Sequence, residues 1–206
     1  MIYIDEFIDS FPLQLVKLNA RPWLISITLA DILPDIIARL DAGYVINQNV
    51  AIHKTSIIEP GVVIKGCAVI GPHCFVATGA YLRGAMYLHH SVVIGPGCEV
   101  KNSVIMNNTH LAHFNFVGDS LVGSHVNLEA GAIVCNYWND KTLKEIRMLY
   151  KSQILETGVE KFGAIIGDQS KIGANAVLSP GTILAKNTIV NRLGLVDQSL
   201  QYPAQS

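Results

Sequence analysis

The sequence predicts a mainly β protein, a parallel β-helix with a short helix-containing cap at its N-terminus. Two observations carry this. From Ile52 an aliphatic residue recurs every six positions, through Ile58, Ile64, Ile70, Val76, Leu82, Leu88, Ile94 and Val100, and the ladder returns at Ile166, Ile172, Leu178, Leu184 and Val190. An α-helix repeats near 3.6 residues and a pleated strand at 2, whereas a coil that turns a corner every six residues stacks one aliphatic side chain per side into a continuous interior. The second observation is the fourth position after each ladder residue, which is small or apolar (Ser56, Val62, Ala68, Cys74, Ala80, Val92, Cys98).

Residues 1–46 precede the repeat. Ile2–Phe11 and Trp23–Ile27 read as strands or a packed arm, and residues 29–43 (LADILPDIIARLDAG) read as a helix. In that helix Pro34 suits the first turn, Ile36, Ile37 and Leu40 share a face, and Gly43 is the stop. Its expected role is to cover the open end of the stack, because repeat arrays need a cap. The repeat domain is expected over 47–195, with a charged, helix-prone excursion at 138–163, and 196–206 is a tail too short for another domain.

The 206 residues suit one buried domain. Half of them are hydrophobic and 15% are charged, which excludes a disordered tail. A net charge of −1 leaves no electrostatic footprint for nucleic acid or an anionic membrane. Asp31, Pro34 and Asp35 interrupt the apolar run near Trp23–Ile37, so no spanning helix is expected. The start MIYIDEF lacks a basic stretch and a cleavage site, which makes the cytoplasm the expected compartment. The four cysteines show no CxxC spacing, and Cys74 and Cys98 read as small inward hydrophobes rather than metal or redox groups.

The period slips twice within Lys101–Tyr137. Ile105 follows Val100 by five residues, Val122 follows Val117 by five, and His113 stands between the slips in the phrase LAHFNFVGD. A scaffold that keeps its period except around one polar cluster points to that cluster as the chemical centre. His113 is neither the ladder residue nor the inward residue of its hexad, and imidazole titrates where a general base is needed.

The hexads resemble the left-handed parallel β-helix of hexapeptide acyltransferases; the left hand comes from that resemblance, since the general crossover rule favours the right. The phrases YLRG (81–84), EVK (99–101), AHFNFVGD (112–119), VNLEAGAIVCNY (126–137) and IIGD (165–168) are similar, in order, to the acetyltransferase half of the bacterial bifunctional UDP-N-acetylglucosamine pyrophosphorylase/glucosamine-1-phosphate N-acetyltransferase family. The resemblance covers roughly residues 50–195. It implies acetyl-CoA as co-substrate, N-acetylation of an amino-sugar phosphate, and His113 as the general base. Arg83, Lys101 and Lys141 match positions on the phosphate side, Asn127 and Asn136 contact the sugar, and Tyr137, Ala174 and Arg192 lie on the coenzyme side. Phe116 stands where the family carries tyrosine, Ala174 replaces a serine, and Arg192 stands in for the family's basic C-terminal segment. The family implies a homotrimer with the acceptor site between subunits. No segment matches its nucleotidyltransferase half, so a separate nucleotidyltransferase is an expected partner. The excursion 138–163 is expected beside the site. The competing reading is a non-catalytic β-helix that binds a nucleotide sugar or assembles with a sugar nucleotidyltransferase. A γ-class carbonic anhydrase needs three metal-binding histidines at a spacing that His73, His89, His90, His110 and His125 lack.

Overall fold

A chain whose inward positions recur every six residues closes one triangular turn in about eighteen, and the computed structural model, which describes residues 2–15 and 21–201, is such a coil. Each turn lays down three short strands that pair in parallel with the same sides of the next turn. Face A is built from strands at 63–65, 81–83, 99–101, 116–118, 133–134, 177–178 and 195–196. Face B holds 50–52, 68–70, 86–88, 103–105, 121–122, 164–166 and 182–184. Face C holds 57–58, 75–76, 93–94, 110–111, 127–128, 171–172 and 189–190. The ladder residues of all three faces meet in one buried core, with the small residues Ala68, Cys74, Ala80 and Cys98 filling the corners as expected. Burial pushes the Cys74 thiol up to about 11, so it packs as a neutral hydrophobe.

Each corner needs one residue in the left-handed region. At the C–A corner these are Gly61, Gly79, Gly97, Phe114, Gly131, Asn175 and Leu193. At the B–C corner they include His73, Ser91, Asn108, His125, Gln169 and Asn187, and at the A–B corner Gly66, Gly84, Asn102 and Asp119. Glycine and asparagine accept this backbone cheaply, which is why they punctuate the hexads.

The two slips belong to the A–B corner. Gly84 and Ala85 together oppose Asn102 alone, so the coil loses a residue there, and the next coil keeps the shorter turn. The excursion leaves from the same corner, between the strands at 133–134 and 164–166. The broken period therefore does not surround His113, whose own corner, at the other edge of face A, keeps the six-residue spacing.

The N-terminal helix differs from expectation. Helix α1 spans Pro22–Ile37 and takes in Trp23–Ile27, which the sequence left as strand or arm. Pro22, not Pro34, occupies the first turn, and Pro34 lies inside the helix, where its missing N–H leaves the Ala30 carbonyl without its usual donor. Pro22, Ile25, Ser26, Leu29, Leu33 and Ile37 are buried at i, i+3, i+4 spacing. They do not cover the open end of the stack. The apolar Ile25, Leu29, Leu33 and Ile37 form a second core against the outer side of face B with Val69, Val104, Leu121, Ile165 and Ile183. The first coil is capped instead by an antiparallel strand, Tyr44–Asn47 on Val50–His53.

The excursion, read as helix-prone, is a hairpin of Arg147–Tyr150 on Gln153–Glu156. Lys151 and Ser152, both left-handed, make its two-residue turn. Trp138, Ile146, Met148 and Phe162 join the second core, so the excursion packs with α1 on the flank of face B. The predicted tail contributes the end of a strand (Leu195–Val196) and a 3-10 turn (Gln198–Gln201); residues 202–206 lie outside the described residues.

Candidate functional site

His113 stands on the C–A corner, exposed, with no hydrogen-bond partner for its ring among the described residues. Its backbone is fixed from two sides. Gly131 N–H donates to the His113 carbonyl at 2.8 Å, and Phe114 N–H donates to the Pro96 carbonyl at 3.1 Å. Beneath it, the inward position is Asn115, which is buried and donates from Nδ2 to the carbonyls of Glu129 (2.8 Å) and Ala132 (3.2 Å). A rigid corner presenting a free imidazole to solvent is the geometry that general-base work needs.

Ala174 and Arg192 fall in the same corner column as His113, on later coils. Both meet Glu129: its carboxylate accepts from Ala174 N–H at 2.8 Å and from the Arg192 Nε and Nη2 at 2.7 Å each. The Arg192 guanidinium and then the Ala174 amide hold the Glu129 carboxyl below the usual range. Arg192 is largely exposed, and two of its donors are taken up by Glu129.

Across face A lies the polar group. Arg83 pairs with Glu99 through Nε at 2.6 Å. Lys101 Nζ donates to the buried Asp119 carboxylate at 2.6 Å, and Asn102 donates to its other oxygen at 2.9 Å. Asn136 donates to Asp119 as well, and the Phe116 ring and the Asn136 side chain both lie over Gly118. Four residues designated from the sequence (Arg83, Lys101, Phe116, Asn136) thus gather on one face, and Asp119, which joins Lys101 to Asn136, was not singled out. Glu99 and Asp119 are also the counter-charges of Arg83 and Lys101, the two cations that the resemblance puts on the phosphate side.

The remaining designated residues are elsewhere. Asn127 is exposed on face C, in register with His110 on one side and Lys171 on the other. Lys141 lies 3.2 Å from the Trp138 ring centroid and donates to Ser199 at 3.0 Å, and burial lowers its ammonium below the usual lysine range. It shares no partner with Arg83 or Lys101. Tyr137 is exposed, with the Lys144 ammonium 5.2 Å from its ring centroid. Among the described residues no group of three or more His, Cys, Asp or Glu is placed to hold a metal ion, and no helix is long and apolar enough to cross a membrane. A hollow of about 1000 Å³ between the N-terminal arm, the start of α1 and the hairpin is lined by none of the designated residues.

Glu129, Asn115 and Asp119 were legible only as hexad positions. Asparagine at an inward position, where the other coils of this corner carry valine, alanine, cysteine or glycine, is a sequence signal that marks the His113 corner as special.

No family model matches the chain. The curated proteins give many matches. Bifunctional protein GlmU of Methanococcus vannielii is 30% identical over 208 residues, covering 96% of this chain and 50% of that protein. GlmU of Methanocaldococcus jannaschii is 32% identical over 208 residues, again 96% and 50%. GlmU of Desulfitobacterium hafniense is 34% identical over 140 residues, or 62% of this chain and 27% of that protein. The chain spans about half the length of the curated relatives that it matches end to end. The chain thus resembles one half of the GlmU proteins, the part that the sequence reading matched to their acetyltransferase domain, and its parallel β-solenoid agrees with that resemblance.

Proposed function

We propose that the chain is an acetyl-CoA-dependent N-acetyltransferase whose acceptor is an amino-sugar phosphate of the glucosamine-1-phosphate kind. The observation that carries this is the free His113 ring on a corner fixed from within by Asn115, with the Ala174–Glu129–Arg192 group along the same edge. In the reaction the acceptor amine attacks the thioester carbonyl, His113 removes the amine proton as the N–C bond forms, and coenzyme A leaves as the thiolate that takes up that proton. Arg192 serves the coenzyme's phosphates in this reading by exchanging Glu129 for them, since its Nε and Nη2 both donate to that carboxylate. Phe116 supplies an apolar wall where a hydroxyl would have bonded the sugar.

A working site needs more than one copy in this reading. Asn127 on face C and the Arg83–Lys101–Phe116 group on face A belong to different sides of one chain. Face B is occupied by α1, which leaves A and C to meet between copies. Both carry exposed apolar residues, Val63, Ile133 and Leu195 on A and Ile57 and Ile189 on C. A-to-C contact is head-to-tail and closes into a ring, and a three-sided prism suits a trimer. The unpaired cysteines suit a cytoplasmic protein.

The test is thiol release from acetyl-CoA with a panel of amino-sugar 1-phosphates, for the parent and His113→Ala. Turnover that falls by about 10²-fold or more in the variant is expected. Equal turnover in both would remove His113 from the mechanism. Absence of turnover with tight binding of a nucleotide sugar would favour the non-catalytic role.

A further inference from the structure

The outer column of face C changes character along the solenoid. Ile57, Phe75 and Val93 are apolar, and then His110, Asn127 and Lys171 follow in register before Ile189. Beside this polar stretch runs the B–C corner, where His125, Gln169 and Asn187 each turn through the left-handed region and project their polar side chains. Between corner and face lies a hollow of about 520 Å³ lined by His125, Gln169, Lys171, Asn187 and Ile189. Lys171 is exposed there, and its ammonium has no ion pair or hydrogen bond with any described residue. The acid one residue before Gln169, Asp168, is buried and turned inward, accepting from Asp9 N–H at 2.9 Å and Ser124 N–H at 2.7 Å.

The contrast with the cations designated from the sequence is chemical. Arg83 is neutralised by Glu99, Lys101 by Asp119 and Arg192 by Glu129, while Lys141 rests on the Trp138 ring. A phosphate group taken out of water needs a cation whose charge is not already matched, together with neutral donors to complete its shell. Lys171 with the amides of Gln169 and Asn187 is that set.

We propose that Lys171 binds a phosphate group of the transfer reaction, on the face that carries Asn127. This rests on the acetyltransferase reading. Either the acceptor sugar or the coenzyme supplies the phosphate, and the two sources separate in kinetics. Lys171→Met, Lys171→Arg and the parent are compared in kcat and in KM for glucosamine-1-phosphate and for acetyl-CoA. Lys171 is exposed, so neither change threatens the fold. The expected result in Lys171→Met is a KM raised about tenfold or more for one substrate, with kcat within about twofold and recovery in Lys171→Arg. A rise for the sugar phosphate assigns the group to the acceptor, and a rise for acetyl-CoA assigns it to the coenzyme. Unchanged KM for both overturns the proposal. In parallel, inorganic phosphate is titrated into parent and Lys171→Met and followed by calorimetry. If the parent turns over no substrate, the acetyltransferase reading fails, and this titration alone decides: weaker binding in Lys171→Met supports the phosphate site, and equal binding overturns it.

Discussion

Phe114 holds φ at +52° in a column otherwise made mostly of glycine, and its side chain is 72% exposed. A bulky residue in that region costs about 1–2 kcal/mol, and little burial repays it. Its ring lies over Gly97, where an added Cβ would come within 2.5 Å of the ring. Asparagine accepts the same backbone with less strain, so Phe114→Asn is expected to raise stability by about 1 kcal/mol, read as a thermal midpoint a few degrees higher. An unchanged midpoint would mean that ring packing on Gly97 offsets the strain. At this scale the sequence was informative about residue types and silent about their partners. Lys101 was recognisable as a cation, but Asp119, eighteen positions away, becomes its neighbour only when one coil is stacked on the next. Lys171 escaped notice because no motif marks it, and its setting arises from columns that the linear order hides.

The A–B corner ladder is the element that explains the broken period. Asp119 accepts from Lys101, Asn102 and Asn136, while Asn102 Oδ1 accepts from Ala85 N–H at 2.9 Å, so four consecutive coils are joined by side chains at one edge. The side chains of Lys101 and Asp119 are 14% and 4% exposed. Removing one partner of such a pair leaves an uncompensated charge. Asp119→Ala is therefore expected to cost about 3–5 kcal/mol in urea unfolding, and adding Lys101→Met should recover part of the loss. A loss below about 1 kcal/mol would show the pair to be well solvated. The slips themselves were plain in the sequence, but which corner they occupy was not, because the period counts residues and does not label sides. The helix was found and misplaced for a comparable reason. Two prolines each fit a first turn, and only the face B partners of Trp23, Ile25 and Leu29 select Pro22. The hairpin at 147–156 had no glycine or asparagine at its turn, so its charged, helix-prone residues misled.

At the scale of the molecule, the six-residue period made the solenoid legible from sequence, and the phrases around His113 made the resemblance to the GlmU proteins legible, because both are written in consecutive residues. The path of the first forty residues was not. The arm begins at the late coils, where Asp168 N–H donates to the Phe7 carbonyl at 2.9 Å, Lys186 pairs with Asp9, and Glu6 accepts from the Tyr150 hydroxyl. Trp23 Nε1 donates to the Thr157 carbonyl at 2.9 Å, and α1 then runs back over face B towards the strands of the early coils. Sixteen residues of helix extend about 24 Å, roughly five coils at 4.8 Å each. A stack whose coils touch only their neighbours frays from its ends, each coil melting nearly on its own account. A strap laid along the stack abolishes that independence. Urea unfolding of the whole chain should be a single transition, with tryptophan fluorescence and far-ultraviolet circular dichroism superimposing. In Ile8→Asp, which places a charge at a fully buried anchor of the strap, the two signals should separate as the late coils melt first. Coincident curves in that variant would mean that the coils hold one another without the strap. The segment read from the sequence as an end cap is thus expected to make a row of repeats melt as one body.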